Sequence, residues 1–425
     1  MTVSPPTTEM DFSPPRGMRD FYPEDMVLRN RIFDAWRAAA VAHGFEHYDA
    51  CVVESLELLK RKAGEEVENQ VYAFQDKSGR DIALRAEMTP TLARMVAARQ
   101  GSLPFPLKWF CIAQCFRYER MTKGRKREHY QLNLDVVGEE EVSGEAEVLA
   151  AAIDAMRRMG VPDAAYRVRL SSRALLSELL ARLGIDERFH AGAFLALDKK
   201  GKMPREEIEE IMRGEGLDDE ACRKAFDLMD IASLDEAAAI AGADSPAIAR
   251  IRELFALLEI YGVSDRVVFD VSVVRGLSYY TGIVFEAFDT KGEFRAIFGG
   301  GRYDNLLTTI GGRPTPAVGL GFGDVVVGEL LKSLGLADAA ARPDLVCVGY
   351  MQPEQRAAAT RLAAALRAQG RAVDLRLRAQ KAKAFFAHAG ERGTHAVYLG
   401  PDDVAAGTAR MKDLVTREET PIRLG

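Results

Sequence analysis

Apolar and polar positions divide the chain into a run of recognisable elements. Over residues 24–43 the apolar side chains recur at helical spacing, with Ile32, Trp36, Ala40 and Val41 on one face, which predicts an amphipathic helix. "FEHYDACVVES" then alternates like a strand. "RDIALRAEMTPTLARMVAAR" predicts a strand ending near Ala86, followed by a helix with Thr89 as N-cap and Pro90 at its first position. "LKWFCIAQCFRYER" and "YQLNLDVVG" flank the basic segment "MTKGRKREHY" and predict a hairpin with a long, charged tip. From about Ser171 to Gly262 the texture is rich in Ala, Glu and Leu at helical spacing, a helical insertion into a strand-rich host. Strands return at "DRVVFDVSVV" and at "RGLSYYTGIVFEAF". The second of these predicts a strand over Tyr279 to Phe288. Adjacent strand residues face opposite ways, so at most one of Tyr279 and Tyr280 would share a cavity with Arg275. After the Ala-rich linker "SLGLADAAARPD", strand and helix alternate, as in a small α/β domain. The expected divisions are 1–170, 171–262, 263–335 and 343–425.

A length of 425 residues suits two or three domains, and 48% hydrophobic with 28% charged residues reads as a soluble globular protein. No apolar run approaches the roughly 20 residues of a membrane helix. The opening "MTVSPPTTEMDFSPPRG" has no apolar signal core and reads as a loose Pro/Thr-rich leader, so a cytoplasmic location is expected. Cys111 and Cys115, four apart, do not have the spacing of a zinc knuckle, and all five cysteines are read as reduced thiols. The net charge of −6 argues against a general polyanion binder. The balance is uneven, however. Residues 343–425 hold 13 Lys+Arg against 9 Asp+Glu, a net of +4 that leaves −10 on the remainder. A basic tail on an acidic body permits local contact with nucleic acid.

Chemistry concentrates in three places. In the hairpin, Arg117, Arg120, Lys123, Arg125, Lys126 and Arg127 fall within eleven residues. Arg117 and Glu119 share one face of the outgoing strand, and Gln131, Asn133 and Asp135 share one face of the returning strand. Such a face makes a poor core and a good polar pocket. Arginine forks suit phosphate oxygens, while carboxylates and a glutamine suit an ammonium group. Glu87 stands just before a helix, where capping alone does not explain it. Gly299, Gly300 and Gly301 let the backbone approach a neighbour closely, without the ending of a phosphate loop.

These residues resemble those of the histidyl-tRNA synthetases, a family of class II aminoacyl-tRNA synthetases, over nearly everything from Arg16 to Leu424. "RGLSYYTG" is similar to the family's histidine-specific signature and "FRYERMTKGRKREHYQ" to its motif 2. "LRAEMTP" resembles its "LRPEGT", "GGGRYDNLL" and "TPAVGLGFG" its approach to motif 3, and "GTARMKDL" its anticodon-binding domain.

The resemblance implies an α+β fold: an antiparallel class II sheet flanked by helices, a helical insertion, and a C-terminal α/β anticodon-binding domain. It implies a homodimer built through motif 1, with no membrane. It further implies that ATP, with Mg2+, activates L-histidine to an adenylate that is passed to tRNA(His). Arg275 and Arg117 would be catalytic, stabilising charge at the α-phosphate. Glu87, Thr89 and Gln131 would receive the α-amino group. Asp135 and Tyr280 would read the imidazole, with Tyr279 beside them. Glu119, Arg125 and His129 would join Arg117 and Arg275 at ATP, His129 by stacking on adenine. No metal ligand is assigned. Val326 stands where the family usually carries the motif 3 arginine, although a plastid-like branch has the same "GFGDxV" pattern. Cys51 stands for a motif 1 proline, Ser278 for a frequent aspartate, and Asp135 for a frequent glutamate. The rival expectation is a non-catalytic relative, the regulatory subunit of ATP phosphoribosyltransferase. That subunit lacks an anticodon-binding domain and tends to lose the "RGLSYYTG" signature.

Overall fold

The computed structural model describes residues 11–63, 70–118, 124, 126–197, 199–200, 203–242, 244–274, 279–337 and 344–424. They fall into two compact units, one within 1–338 and one within 339–425.

The first unit is organised by an eight-stranded sheet. Its strands are β1 (Glu46–His47), β5 (Leu107–Phe116), β6 (Glu128–Val137), β7 (Tyr166–Ser172), β8 (Val267–Phe269), β9 (Ile283–Asp289), β10 (Phe298–Arg302) and β11 (Ala317–Gly323). They lie in the order β1-β5-β6-β11-β10-β9-β7-β8. The six central strands run antiparallel, and β1 and β8 add parallel strands at the edges. A smaller sheet, β2 (Val53–Ser55), β3 (Ala73–Gln75) and β4 (Asp81–Leu84), stands beside it in the chain.

One face of the large sheet is covered and the other is open, and strand alternation decides which residue faces where. Leu132, Leu134, Leu170, Phe285, Phe298 and Phe322 form the covered face and are buried. Three helices lie on or near it: α1 (Pro23–Ala42), α4 (Ser143–Arg158) and α12 (Asp324–Ser333). Trp36 of α1 is wholly buried, its ring 5.3 Å from that of Phe322 and 5.6 Å from that of Phe33. Ile32 and Ala40 face the core as the helical spacing predicts, but Val41 is 61% exposed. It follows Ala40 by about 100° around the helix, enough to leave a narrow buried stripe.

Between β7 and β8 the chain is helical from α5 (Arg173–Arg182) to α10 (Pro246–Ile260), and these helices share the core of the large sheet. Ser172, Asp218, Ser233 and Ser245 cap four of them through their side chains. The second unit has a five-stranded sheet, ordered β13 (Ala372–Leu375), β12 (Leu345–Tyr350), β14 (His395–Leu399), β15 (Thr408–Asp413) and β16 (Glu419–Arg423). Its first three strands are parallel, as alternation with α13 (Arg356–Ala368) and α14 (Ala382–Arg392) requires, and the last two are antiparallel. No helix among the described residues is long and apolar enough to cross a membrane.

Candidate active site

The open face of the large sheet is floored with glycine where β6 displays its polar side chains. Gln131, Asn133 and Asp135 stand in register with Gly323, Gly321 and Gly319 of β11. Gly321 in turn faces Gly299 of β10, which faces Glu286 of β9. A methyl group on Gly319 would lie 2.0 Å from Asp135 Oδ1, and one on Gly321 would lie 2.5 Å from Gln131 Nε2. The two glycines therefore make room for the neighbouring polar side chains, and larger residues there would displace them.

Asp135 is the most unusual of these side chains. It is buried, and its Oδ1 accepts a 2.5 Å hydrogen bond from the Tyr303 hydroxyl. Its Oδ2 has no partner among the described residues. Burial pushes the carboxyl up to about 7, against the opposing pull of the Tyr303 hydrogen bond. Burial, followed by the Asp135 charge, raises the Tyr303 hydroxyl well above the usual phenol range. A carboxyl near neutrality, dry, with one oxygen open, suits a ligand that brings an N–H group. Asn133 Oδ1, on the same face, is likewise buried without a partner among the described residues.

The segment before α3 (Thr89–Arg99) lies at the far end of β5. Arg117, just past the end of β5, donates from Nε to the Ala86 carbonyl at 3.0 Å. Buried Arg85 donates to the carbonyls of Gln114 at 2.9 Å and Ala50 at 3.0 Å. Met88 packs on Cys111, Ala113 and Cys115, the β5 residues in register with Asn133, Gln131 and His129. Glu87 and Thr89 flank Met88, the first half-buried and the second buried. Thr89 is not the N-cap. The helix begins at Thr89 itself, Met88 is the cap, and no side chain caps it.

The aromatic pair also departs from its prediction. The strand begins at Ile283, and Tyr279 and Tyr280 lie in the preceding turn. Alternation therefore does not separate them. Their ring centroids are 4.6 Å apart, and Tyr279 meets the Tyr303 ring edge-on at 6.0 Å. Both tyrosines belong to one apolar cluster with Tyr303. His129 is half-buried on the polar face, opposite Cys115. Arg275, Glu119 and Arg125, and with them Ser278, lie outside the described residues.

At the start of α12, Val326 is buried, and a methyl on Gly124 would lie 3.6 Å from its Cγ2. Val326 packs into the apolar core of the large sheet. Buried Asp324 begins that helix. It accepts from the Tyr130 amide at 2.8 Å and meets Arg19 Nη1 at 2.9 Å.

Sequence reading missed Tyr303 and Arg302. Both belong to the "GGGRYD" stretch, where the glycines carry the local signal. A tyrosine following an arginine carries no periodic signal, and only the fold brings Tyr303 to Asp135.

Comparison with known proteins decides the family. The family model described as histidyl-tRNA synthetase matches residues 17–323. The chain is 42% identical to the chloroplastic/mitochondrial histidine–tRNA ligase of Arabidopsis thaliana, over 99% of this chain and 88% of that protein. It is 41% identical to the histidine–tRNA ligase of Opitutus terrae, over 96% and 94%. This chain belongs to the histidyl-tRNA synthetase family. The fold agrees. The histidyl-tRNA synthetase of Nostoc sp. PCC 7120 superposes with a TM-score of 0.81 at 24% identity, covering 98% of this chain and 97% of that one. A Bacillus halodurans protein described as an ATP phosphoribosyltransferase regulatory subunit/histidyl-tRNA synthetase superposes with a TM-score of 0.75 at 25% identity, over 93% and 99%. The family's class II sheet with flanking helices is the large sheet seen here, and the α/β unit follows it.

Proposed function

We propose that this chain joins L-histidine to tRNA(His) in two steps on the open face of the large sheet. In the first, the histidine carboxylate attacks the α-phosphorus of ATP. A carboxylate oxygen–phosphorus bond forms, the bond to the β-phosphate oxygen breaks, and pyrophosphate leaves. In the second, a terminal ribose hydroxyl of the tRNA attacks the carbonyl carbon of the adenylate, loses its proton, and releases AMP. No general base is needed in the first step, because the carboxylate is already a nucleophile.

The observation that carries this reading is Asp135, a buried carboxyl with one open oxygen over a glycine floor. It suits an imidazole N–H, and Tyr280 would be the second reader of the ring. Glu87, Thr89 and Gln131 would hold the α-amino group. Arg117 and Arg275 would stabilise the charge that develops at the α-phosphate, and His129, Glu119 and Arg125 would hold the rest of ATP. Mg2+ enters with ATP as part of that substrate. No protein ligand for it is proposed, and among the described residues no cluster of three or more His, Cys, Asp or Glu could hold a metal. Residues 343–425 would form the anticodon-binding domain and carry the basic contact to tRNA. Residues 24–43 and the strand after them would pair across the two-fold axis of a homodimer. The regulatory-subunit reading is less well supported, because the relatives at 42% and 41% identity are named as ligases and match almost the whole chain, C-terminal unit included.

Histidine-dependent exchange of pyrophosphate into ATP tests the assignment. Arg275→Ala should lower it by about 10²–10³-fold, as the loss of one preorganised charge contact does, while the circular dichroism spectrum is unchanged. Near-normal exchange would remove Arg275 from the mechanism. A chain ended near Ala341 should keep exchange and lose histidine transfer to tRNA. If it still charges tRNA as well as the full chain, the C-terminal unit has another role.

A further inference from the structure

Tyr48 lies one residue beyond β1 and continues its ladder, its amide donating to the Phe110 carbonyl at 3.0 Å. Glu46 is in register with Trp109, and alternation turns Tyr48 to the same side of the sheet as Glu46. Trp109 in turn is in register with Asp135. Tyr48, Trp109 and Asp135 therefore share the open face on three successive strands. The Tyr48 ring packs 5.5 Å from the Trp109 ring. Its side chain also touches the apolar cluster that holds Tyr279, Tyr280 and Tyr303.

The far end of this side chain is the unusual part. Tyr48 as a residue is half-buried, but its hydroxyl is fully covered and has no hydrogen-bond partner among the described residues. Burial, followed by the Asp135 charge, raises that hydroxyl well above the usual phenol range. A buried hydroxyl without a partner is costly unless a ligand completes it. Asp135 Oδ2 is open in the same way. The two residues with open polar atoms flank Trp109 on the same face of the sheet.

We propose that Tyr48 is a further specificity-determining residue, whose hydroxyl shares with Asp135 Oδ2 the N–H edge of the substrate's imidazole. This rests on the reading of the Asp135 pocket as the histidine side-chain site. Tyr303 holds Asp135 from one side, and its hydrogen bond leaves Oδ2 as the free acceptor. Tyr48 approaches from the other side and supplies a second oxygen. A side chain of similar size without a ring N–H would leave both oxygens unpaired, so the pair rejects it.

Tyr48→Phe removes the hydroxyl and keeps the ring. In pyrophosphate exchange the variant should show a KM for histidine raised about tenfold, the size expected for one hydrogen bond in a dry site. Its KM for ATP and its melting temperature should stay as in the parent. The inhibition constant of 3-(2-thienyl)alanine, whose ring has no nitrogen, should not change. A histidine KM within twofold of the parent overturns the proposal. So does a joint rise in both KM values with a lowered melting temperature, since that marks general damage. An equal loss for histidine and thienylalanine also overturns it, because the hydroxyl would then act on packing. A parent protein with no histidine-dependent exchange would instead overturn the underlying site assignment.

Discussion

Arg302 and Tyr303 are neighbours in sequence, and each serves a buried acid, yet the two acids are in opposite situations. Glu145 of α4 is held by Arg302 through two hydrogen bonds, Nε to Oε1 at 2.7 Å and Nη2 to Oε2 at 2.5 Å. The other guanidinium hydrogens go to the carbonyls of Glu139 at 2.9 Å and Glu141 at 3.1 Å, and to Asp304 at 3.3 Å. Both Glu145 oxygens and the whole arginine fork are engaged. Asp135 has one hydrogen bond, from Tyr303, and one open oxygen among the described residues. The complete pair ties α4 to the sheet and leaves nothing for a ligand. The incomplete one is destabilised by its own burial until something arrives. Burial of charge alone does not mark a site. What singles out Asp135 is an open carboxylate oxygen on the polar face, beside the glycines of β11.

The largest effect should come from breaking the complete pair. Arg302→Ala leaves the Glu145 carboxylate buried without its cation and should destabilise the first unit by about 3–5 kcal/mol, read as a lower denaturant midpoint. A change under about 1 kcal/mol would mean that the pair is not the anchor its geometry suggests.

Asp135→Asn should behave in the opposite way. Stability should hold or rise, since a costly buried carboxyl is gone, while the histidine KM in exchange rises about 10–100-fold, the worth of a charge-assisted hydrogen bond. Loss of stability without loss of histidine affinity would reverse the roles drawn above.

Gly319→Ala sharpens the comparison while leaving both acids in the sequence. The new methyl invades the space of Asp135 Oδ1 and should cost about 1–3 kcal/mol of stability through overpacking. It should also weaken histidine more than ATP, measured as the two KM values.

The smallest effect is in pH. The folded Asp135 carboxyl lies near 7, above its unfolded value of 3.8, so its contribution to stability is present in full below about 4 and is lost as pH rises through 7. A bound N–H donor favours the ionised form. The histidine KM should therefore fall as pH is raised from 6 to 8, by less than tenfold per unit, and Asp135→Asn should flatten that dependence. An unchanged slope in the variant would assign the titration to another group.

Local chemistry in the sequence was sufficient to determine several features. Trp36 and its neighbours follow from helical spacing, and the polar face of Gln131, Asn133 and Asp135 from strand alternation. The parallel strands of the C-terminal unit follow from alternation with helices. These are short-range periodicities, and side-chain direction in a regular element depends on little else. The same rule does not apply at Tyr279 and Tyr280, because the strand starts only at Ile283 and both rings lie in the segment before it. It could not reach Tyr303 or Tyr48 either. Each of these is apart from Asp135 by more than eighty residues in the chain, and only the strand order β1-β5-β6-β11-β10 brings them to it. Whether a buried polar atom is satisfied depends on what the whole fold places within about 3 Å of it, and no window along the chain contains that information.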